Sequence, residues 1–465
     1  MKPATRRQHR RTHVVLLAAV VLGMVWMTAV PVAQAASGDL TWDRLVGGSG
    51  DDVLNVVAEA PGGGVYVAGG LRATTQDFVV ARFGADGAKA WTRVYAGPEG
   101  AENEVVSGAV DGAGNLFVVG ANTIGGLDRS WTLIKYSPAG RRLWLRTVVG
   151  PKLPQFPVII SRIATVTPVG VVVDRSGNAY VAARCVDNLT ALSGVVLTKF
   201  SAGGARTWAR TYTGPAEVDR PVDVAMDRAG AVYISGVGYR GLSGFDLLVL
   251  KYDSGGRLAW VRYRDGGVGD TIDMQSAIAV TPAGSAYVAT TTGPDSEHHP
   301  LLVKFTRGGE TAWEETGALV TPGEFAQYRD VVVTPWAQAL VAGTLEWSPP
   351  IAMFVMVGPA PPSMGVGGGI TGTGANDAGI LAALDAERAL SFVAGTTDTG
   401  GANQDIFVSE WSGVGDPPWT RTYDGDAHSE DAPRALLSSG DSVYVAGYVT
   451  TAGAGRDGVL LKYER

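Results

Sequence analysis

Carboxylates recur at two registers along this chain, and their spacing is tied to a repeated phrase. An aromatic or aliphatic residue, Val or Ile, a small residue, then Gly or another small residue appears eight times. The copies are Tyr66-Val67-Ala68-Gly69, Phe117-Val118-Val119-Gly120, Tyr180-Val181-Ala182-Ala183, Tyr233-Ile234-Ser235-Gly236, Tyr287-Val288-Ala289-Thr290, Leu340-Val341-Ala342-Gly343, Phe392-Val393-Ala394-Gly395 and Tyr444-Val445-Ala446-Gly447. Fourteen residues before each stand Asp52, Asn103, Val166, Asp219, Asp273, Ala326, Ala378 and Glu430. Asp51, Glu102, Glu104, Asp270, Asp330, Asp377 and Asp431 are near neighbours. A second set, Asp77, Asp128, Asp246, Asp405 and Asp457, follows the phrase. Hard cations take oxygen ligands, so acids converging from several units could bind a cation or a cationic ligand. Paired acids could also cleave glycosides. The structural alternative is that Asp ends strands and bonds its own turn backbone, while acids keep a face soluble. No single loop has an EF-hand spacing, so a metal site would be assembled across units. No cofactor is identified beyond the Ca2+ such acids could take.

Other chemical motifs are weaker. Gly367-Gly368-Gly369-Ile370-Thr371-Gly372 matches G-x-G-x-x-G but lies in a Gly/Pro-rich connection with no helix after it. His298-His299 beside Asp295 and Glu297 lacks the three or four convergent ligands of a metal site. The single cysteine, Cys185, rules out an intrachain disulfide and follows a predicted strand, as a half-buried inert thiol would. G-x-S-x-G, H-E-x-x-H, P-loop and C-x-x-C motifs are absent from the sequence.

The elements that must position these residues follow from the period. The first residues of the phrase are 51 to 63 apart, mostly 51 to 54, which marks one supersecondary unit copied along the chain. Within Asp52–Tyr95, four short β-branched and aromatic runs are separated by Gly, Pro and Asp turns. Four antiparallel strands per fifty residues describe a propeller blade. The expected fold is an all-β propeller of eight blades, with seven as the alternative if the sixth or seventh unit is an insertion. The chain opens on a strand at Thr41–Val46 and ends on a third strand, so the N-terminal strand is expected to close the last blade. Trp42, Trp91, Trp144, Trp208, Trp260, Trp313 and Trp419 should pack between blades. Turns such as Asp111–Asn115 and Asp174–Asn178, and bases such as Lys135 and Lys251, lie at one end of each blade and are expected to pair as staples. The acids project from the other face, the first set beside the central channel. That face also carries an apolar, Pro-rich insertion, Pro151–Ile160, whose Leu153, Phe156 and Ile159 are candidate partner contacts or a channel cap.

The ends and the charge bound the setting. Lys2, Arg6, Arg7, Arg10 and Arg11 precede an apolar run, Val14–Val30, and Ala33-Gln34-Ala35 offers a cleavage site. Residues 1–35 are therefore read as a secretory signal, Sec rather than twin-arginine, with an uncleaved anchor as the alternative. Residues 36–465 form the propeller domain. The chain has 38 basic and 45 acidic residues; without the five bases of 1–35 it carries 33 − 45 = −12. That balance excludes nucleic acid as a partner.

Asp174-Arg175-Ser176-Gly177-Asn178-Ala179-Tyr180-Val181, and Asp246 through Lys251-Tyr252 and Gly256 to Trp260, resemble the bacterial SBBP-type β-propeller repeat family. Asp77–Gly87 is similar to the related delta-60 repeat, and NHL repeats are similar but shorter. The resemblance covers nearly all of 40–463 and implies exported propellers with no shared chemistry. Residues 326–419 depart from it, losing the Lys, the Asp turn and one Trp. The expected function is a monomeric, secreted or cell-surface scaffold that binds a protein, a carbohydrate or a cationic ligand, with no membrane span after signal cleavage. A propeller hydrolase or lyase and a purely structural surface module are the alternatives.

Overall fold

The computed structural model describes residues 38–98, 101–124, 128–149, 164–187, 191–241, 244–265, 275–293, 299–316, 326–334, 337–345, 351–357, 364–366, 378–385, 387–388, 390–398, 403–411, 417–453 and 455–465. Their 32 regular elements are all β-strands, numbered here in chain order. They form eight four-stranded antiparallel sheets. The first strand of each sheet is β2 (Val53–Ala60), β6 (Glu102–Val110), β10 (Ala164–Val173), β14 (Asp219–Met226), β18 (Ser276–Val280), β22 (Ala326–Val333), β26 (Ala378–Asp385) and β30 (Ala432–Ser439). Each touches the next, and β30 touches β2, so the ring of innermost strands is closed. Seven sheets have a fourth strand of five to eight residues. In the sixth, where no Trp recurs, it shrinks to β25 (Met364–Val366).

Closure follows the sequence expectation. β1 (Leu40–Val46) pairs with the last strand, β32 (Gly455–Glu464), as the outermost strand of blade eight. The join imitates a hairpin turn: Gly38 N donates to Glu464 O (2.8 Å) and Glu464 N to Asp39 O (3.0 Å). Closure ties the two ends of the chain into one blade, and the outer edge strands that remain are short.

The hydrophobic core lies between blades rather than within them. One cluster joins Phe117, Leu133 and Trp131 of blade two to Val166, Val181 and Phe200 of blade three. Another joins Tyr233 and Val249 of blade four to Val288 and Phe305 of blade five. Tyr66, Phe117, Tyr180, Tyr233, Tyr287, Leu340 and Phe392 of the phrase are fully buried. Each such side chain contributes on the order of 1.5–3 kcal/mol. The tyrosines also satisfy their hydroxyls on the next blade: Tyr66 to Gly114 O (2.9 Å), Tyr233 to Gly284 O (2.8 Å) and Tyr287 to Ala337 O (2.7 Å).

The recurring Trp is an interblade latch, as expected, and it has a partner the sequence reading missed. Trp42, Trp91, Trp144 and Trp260 donate Nε1–H to a turn carbonyl of the following blade, at 3.0–3.2 Å. Two residues later an arginine reaches the same turn: Arg93 Nε donates to Gly140 O (2.8 Å) and Arg210 Nε to Gly256 O (3.0 Å). That turn glycine has positive φ (+75° at Gly140, +84° at Gly256), and the Trp ring lies against the place a Cβ would occupy. The same end carries the predicted staple in blade two, where Lys135 Nζ and Asp111 Oδ2 are 3.0 Å apart and both buried. Lys199 and Lys251 instead donate to Ser254 O (3.1 Å) and Arg307 O (2.8 Å) of the next blade.

Candidate functional site

The phrase glycine explains what shapes the channel mouth. Gly69, Gly120, Gly236, Gly343, Gly395 and Gly447 lie so close to the neighbouring innermost strand that a Cβ would collide with a backbone carbonyl there. At each, the innermost strand bulges: between Leu54 and Val56 opposite Gly69, and between Pro433 and Ala435 opposite Gly447. A bulge leaves one residue unpaired and re-aims its side chain. In β2 that residue is Asn55, and in β30 it is Arg434.

A polar cleft of about 500 Å3 opens beside these two bulges, across blades eight, one and two. Asp51, Asp52, Asn55, Arg72, Gln76, Glu104, Arg434, Tyr448 and Arg456 line it. Tyr448, 2% exposed, is the organising side chain. Its hydroxyl donates to Glu430 Oε1 (2.6 Å), and Glu430 Oε2 accepts from Arg456 (2.8 Å). The guanidinium carbons of Arg456 and Arg434 stand 4.4 and 5.4 Å from the Tyr448 ring centroid, at cation–π range. Arg72 bonds Gln76 (3.2 Å) and Glu102 (3.3 Å). The hydrogen bond from Tyr448, and then Arg456, hold the Glu430 carboxyl below the usual range.

Of the predicted acids, Asp52 and Asp219 hold backbone. Asp52, 1% exposed, accepts from Gly48 N (2.6 Å) and Arg72 N (2.6 Å), clasping the loops on either side of its strand. Burial pushes its carboxyl up, against those two hydrogen bonds; Asp457 and Asp51 push it further. Asp219, equally buried, accepts from Gly214 N and from the Tyr263 hydroxyl (3.2 Å), and burial raises it too. Asp246 is buried with Arg240 at 3.9 Å. Asp77 lies beside Asn103, raised by burial and by Glu102 while Asn103 lowers it. Only the backbone of Asp128, at the start of β8 (Asp128–Tyr136), is described. Asp273, the Leu153, Phe156 and Ile159 loop, His298, the G-x-G-x-x-G match and residues 1–35, read above as a signal, lie outside the described residues.

Among the described residues, acids of the two registers come together across a blade junction. Asp405 of blade seven meets Asp424 and Asp431 of the loop into blade eight, one oxygen of each within 4.8 Å of the others. These are the residues that could hold a cation. Asp431 accepts from Gly425 N (2.6 Å) and Thr450 N (2.8 Å). Burial pushes its carboxyl to about 6, with Asp405 and Asp424 adding to the rise. His428 Nδ1 sits 2.5 Å from Asp424.

Asp223 and the cleft on the opposite face were not anticipated, whereas Asp330 was among the near neighbours read from the sequence. Asp223 and Asp330 stand on the channel wall and each bridges to the next innermost strand: Asp223 accepts from Val224 N (2.7 Å) and Ile278 N (2.9 Å), and Asp330 from Val331 N and Ala382 N (both 2.8 Å). On the opposite face a larger cleft, about 790 Å3, is lined by turn residues of blades three to five, including Asp174, Arg175, Lys199 and Arg228. Cys185 is buried, and burial pushes its thiol to about 11, which makes it inert at neutral pH. Among the described residues no helix is long and apolar enough to cross a membrane.

No protein-family model matches the chain, and no curated protein matches it. Solved structures do. Sqt1 from Chaetomium thermophilum is 11% identical with a TM-score of 0.53, covering 90% of this chain and 97% of that one. The WD40 domain of SCAP from fission yeast is 9% identical with a TM-score of 0.48, covering 91% and 98%. The polysaccharide lyase Uly1 is 9% identical with a TM-score of 0.46, covering 89% and 90%. At such identities the likeness extends to the fold alone: the chain is a β-propeller.

Proposed function

We propose that this propeller is an exported, monomeric binding scaffold of the SBBP-repeat type, and that its ligand site is the mouth cleft of blades eight, one and two. The observation that carries this reading is the convergence there of side chains from three blades around a buried Tyr448, two of them, Asn55 and Arg434, re-aimed by bulges. A concave site with a few placed polar groups on a rigid scaffold is what small-ligand recognition requires. Binding is favoured over hydrolysis or elimination because both oxygens of Asp52, the cleft acid with a raised pKa, hold backbone amides. An acid so engaged is poorly placed to shuttle a proton. Export rests on the signal-like residues 1–35.

A saccharide array probed with residues 36–465, and with a variant whose cleft is filled by Glu104→Trp, tests this. Glu104 is exposed, so the substitution leaves the core intact. Binding by the parent that the variant loses is expected. Equal binding by both would place the ligand elsewhere.

A further inference from the structure

The charge of the mouth cleft differs from what the acid-rich loops suggest. Both oxygens of Asp52 are taken up by the Gly48 and Arg72 amides, so it turns no free acceptor toward the cleft. Glu430 is matched by Arg456 (2.8 Å). Arg434 acts on Glu430 only through space. It is exposed, extra to the β30 ladder, and among the described residues makes no hydrogen bond or ion pair; its contact is the Tyr448 ring. Arg456 is held against the same ring by Glu430 and Tyr448, so the two guanidiniums are placed before any ligand arrives. A guanidinium presents a planar fork that matches a carboxylate.

The rest of the lining asks for a different kind of group. Asp51 and Glu104 are exposed acids in the cleft, and Asn55 and Gln76 are amides. Carboxylates accept hydrogen bonds and repel a compact anion, so an inorganic oxyanion would meet both attraction and repulsion. A molecule with one carboxylate and several hydroxyls satisfies both halves: the carboxylate takes the arginines, and the hydroxyls donate to the acids and exchange bonds with the amides. The volume, about 500 Å3, falls within the range of small-ligand sites.

We infer that the mouth cleft binds a sugar acid, its carboxylate held by Arg434 and Arg456 and its hydroxyls by Asp51, Glu104 and Asn55. The assignment rests on the cleft being the ligand site and adds the chemical class. It follows that affinity falls with salt and depends on the fork of Arg434 as well as its charge.

Calorimetric titration of residues 36–465 with a glucuronate disaccharide, the matching glucose disaccharide and inorganic sulfate tests it. The uronate is expected to bind at least about tenfold more tightly than either of the others, since a charge-assisted pair is worth roughly 1.5–3 kcal/mol. Arg434→Gln should lose about tenfold or more, and Arg434→Lys should recover part of it. Arg434 is exposed, and an unchanged melting temperature confirms that either variant folds. If the glucose sugar binds equally well and Glu104→Trp abolishes both, the cleft remains the ligand site and the sugar-acid assignment falls. If sulfate matches the uronate, the hydroxyl half of the assignment falls. If nothing binds, both the assignment and the saccharide reading fall.

Discussion

Replacing Asp223 by Ser removes a carboxylate from the channel wall while keeping its structural bond, because the repeat already contains that exchange. Ser107 of blade two follows its bulge as Asp223 does in blade four, and its hydroxyl accepts from Val171 N (3.3 Å) much as Asp223 accepts from Ile278 N (2.9 Å). Burial pushes the Asp223 carboxyl from 3.8 to about 6, opposed by its two backbone hydrogen bonds, with Asp330 adding to the rise. A group whose folded pKa is raised binds its proton more tightly in the folded state. Its stabilisation is complete below about pH 4, falls as pH rises, and is lost above about pH 6. A shift of about two units corresponds to about 3 kcal/mol, an upper bound because the channel leaves Asp223 partly accessible. The stability of Asp223→Ser relative to the parent should therefore rise by up to about 3 kcal/mol between pH 4 and pH 7 and level off near pH 6. Urea unfolding followed by tryptophan fluorescence at closely spaced pH reads this difference directly. Titrating groups other than Asp330, whose coupling to Asp223 is lost with the carboxylate, cancel between the two proteins. A difference that stays constant from pH 4 to pH 7 would refute an elevated Asp223 and the desolvation argument behind it.

Other perturbations separate the parts of the scaffold. Gly256→Ala places a Cβ 2.8 Å from the Trp208 ring at φ +84°, whereas Gly63→Ala has φ +83° and nothing within 4 Å. Thermal melts should show Gly63→Ala costing about 1 kcal/mol and Gly256→Ala clearly more; equal losses would mean the latch does not depend on close packing. Lys135→Met leaves Asp111 buried without its cation and should cost about 3–5 kcal/mol by denaturant titration. Cys185 should resist iodoacetamide at pH 7.5 until the protein is unfolded, which mass spectrometry with and without urea will read.

The architecture was legible because each blade repeats the same local agreements. A buried aromatic, a Trp facing the next blade and a turn that demands Gly recur at one period, so a weak signal in one unit is read eight times. Closure was legible because the last unit ends on its third strand, without a fourth, while the chain opens on a strand that precedes the first unit. Arg93 and Arg210 were passed over although they follow Trp at a fixed step, because an exposed arginine on an outer strand looks like solvation until its carbonyl partner is seen. The candidate site was less legible. Asp52 and Asp219 mark the right face, yet their side chains hold loop amides, and an acid at a strand start reads the same whether it faces a ligand or a backbone. Arg434 was missed because strand alternation assigns it a place in a ladder that it leaves. A signal existed: where the phrase ends in Gly, the opposing strand bulges, and the unpaired residue can be counted from that glycine. Asp405 and Asp431 come from adjacent blades, and their convergence depends on blade geometry that no single repeat contains.

Hydrogen–deuterium exchange of residues 36–465 with and without the glucuronate disaccharide is the most direct test of where this propeller binds. Asp52 clasps the mouth loops through the amides of Gly48 and Arg72, and the Arg456 amide donates to Asp51 (3.1 Å). The account predicts protection confined to the amides around Gly48, Arg72–Gln76 and Arg456. Protection at Asp174–Asn178 and Arg228 instead would place the ligand in the opposite-face cleft and contradict the mouth as the site.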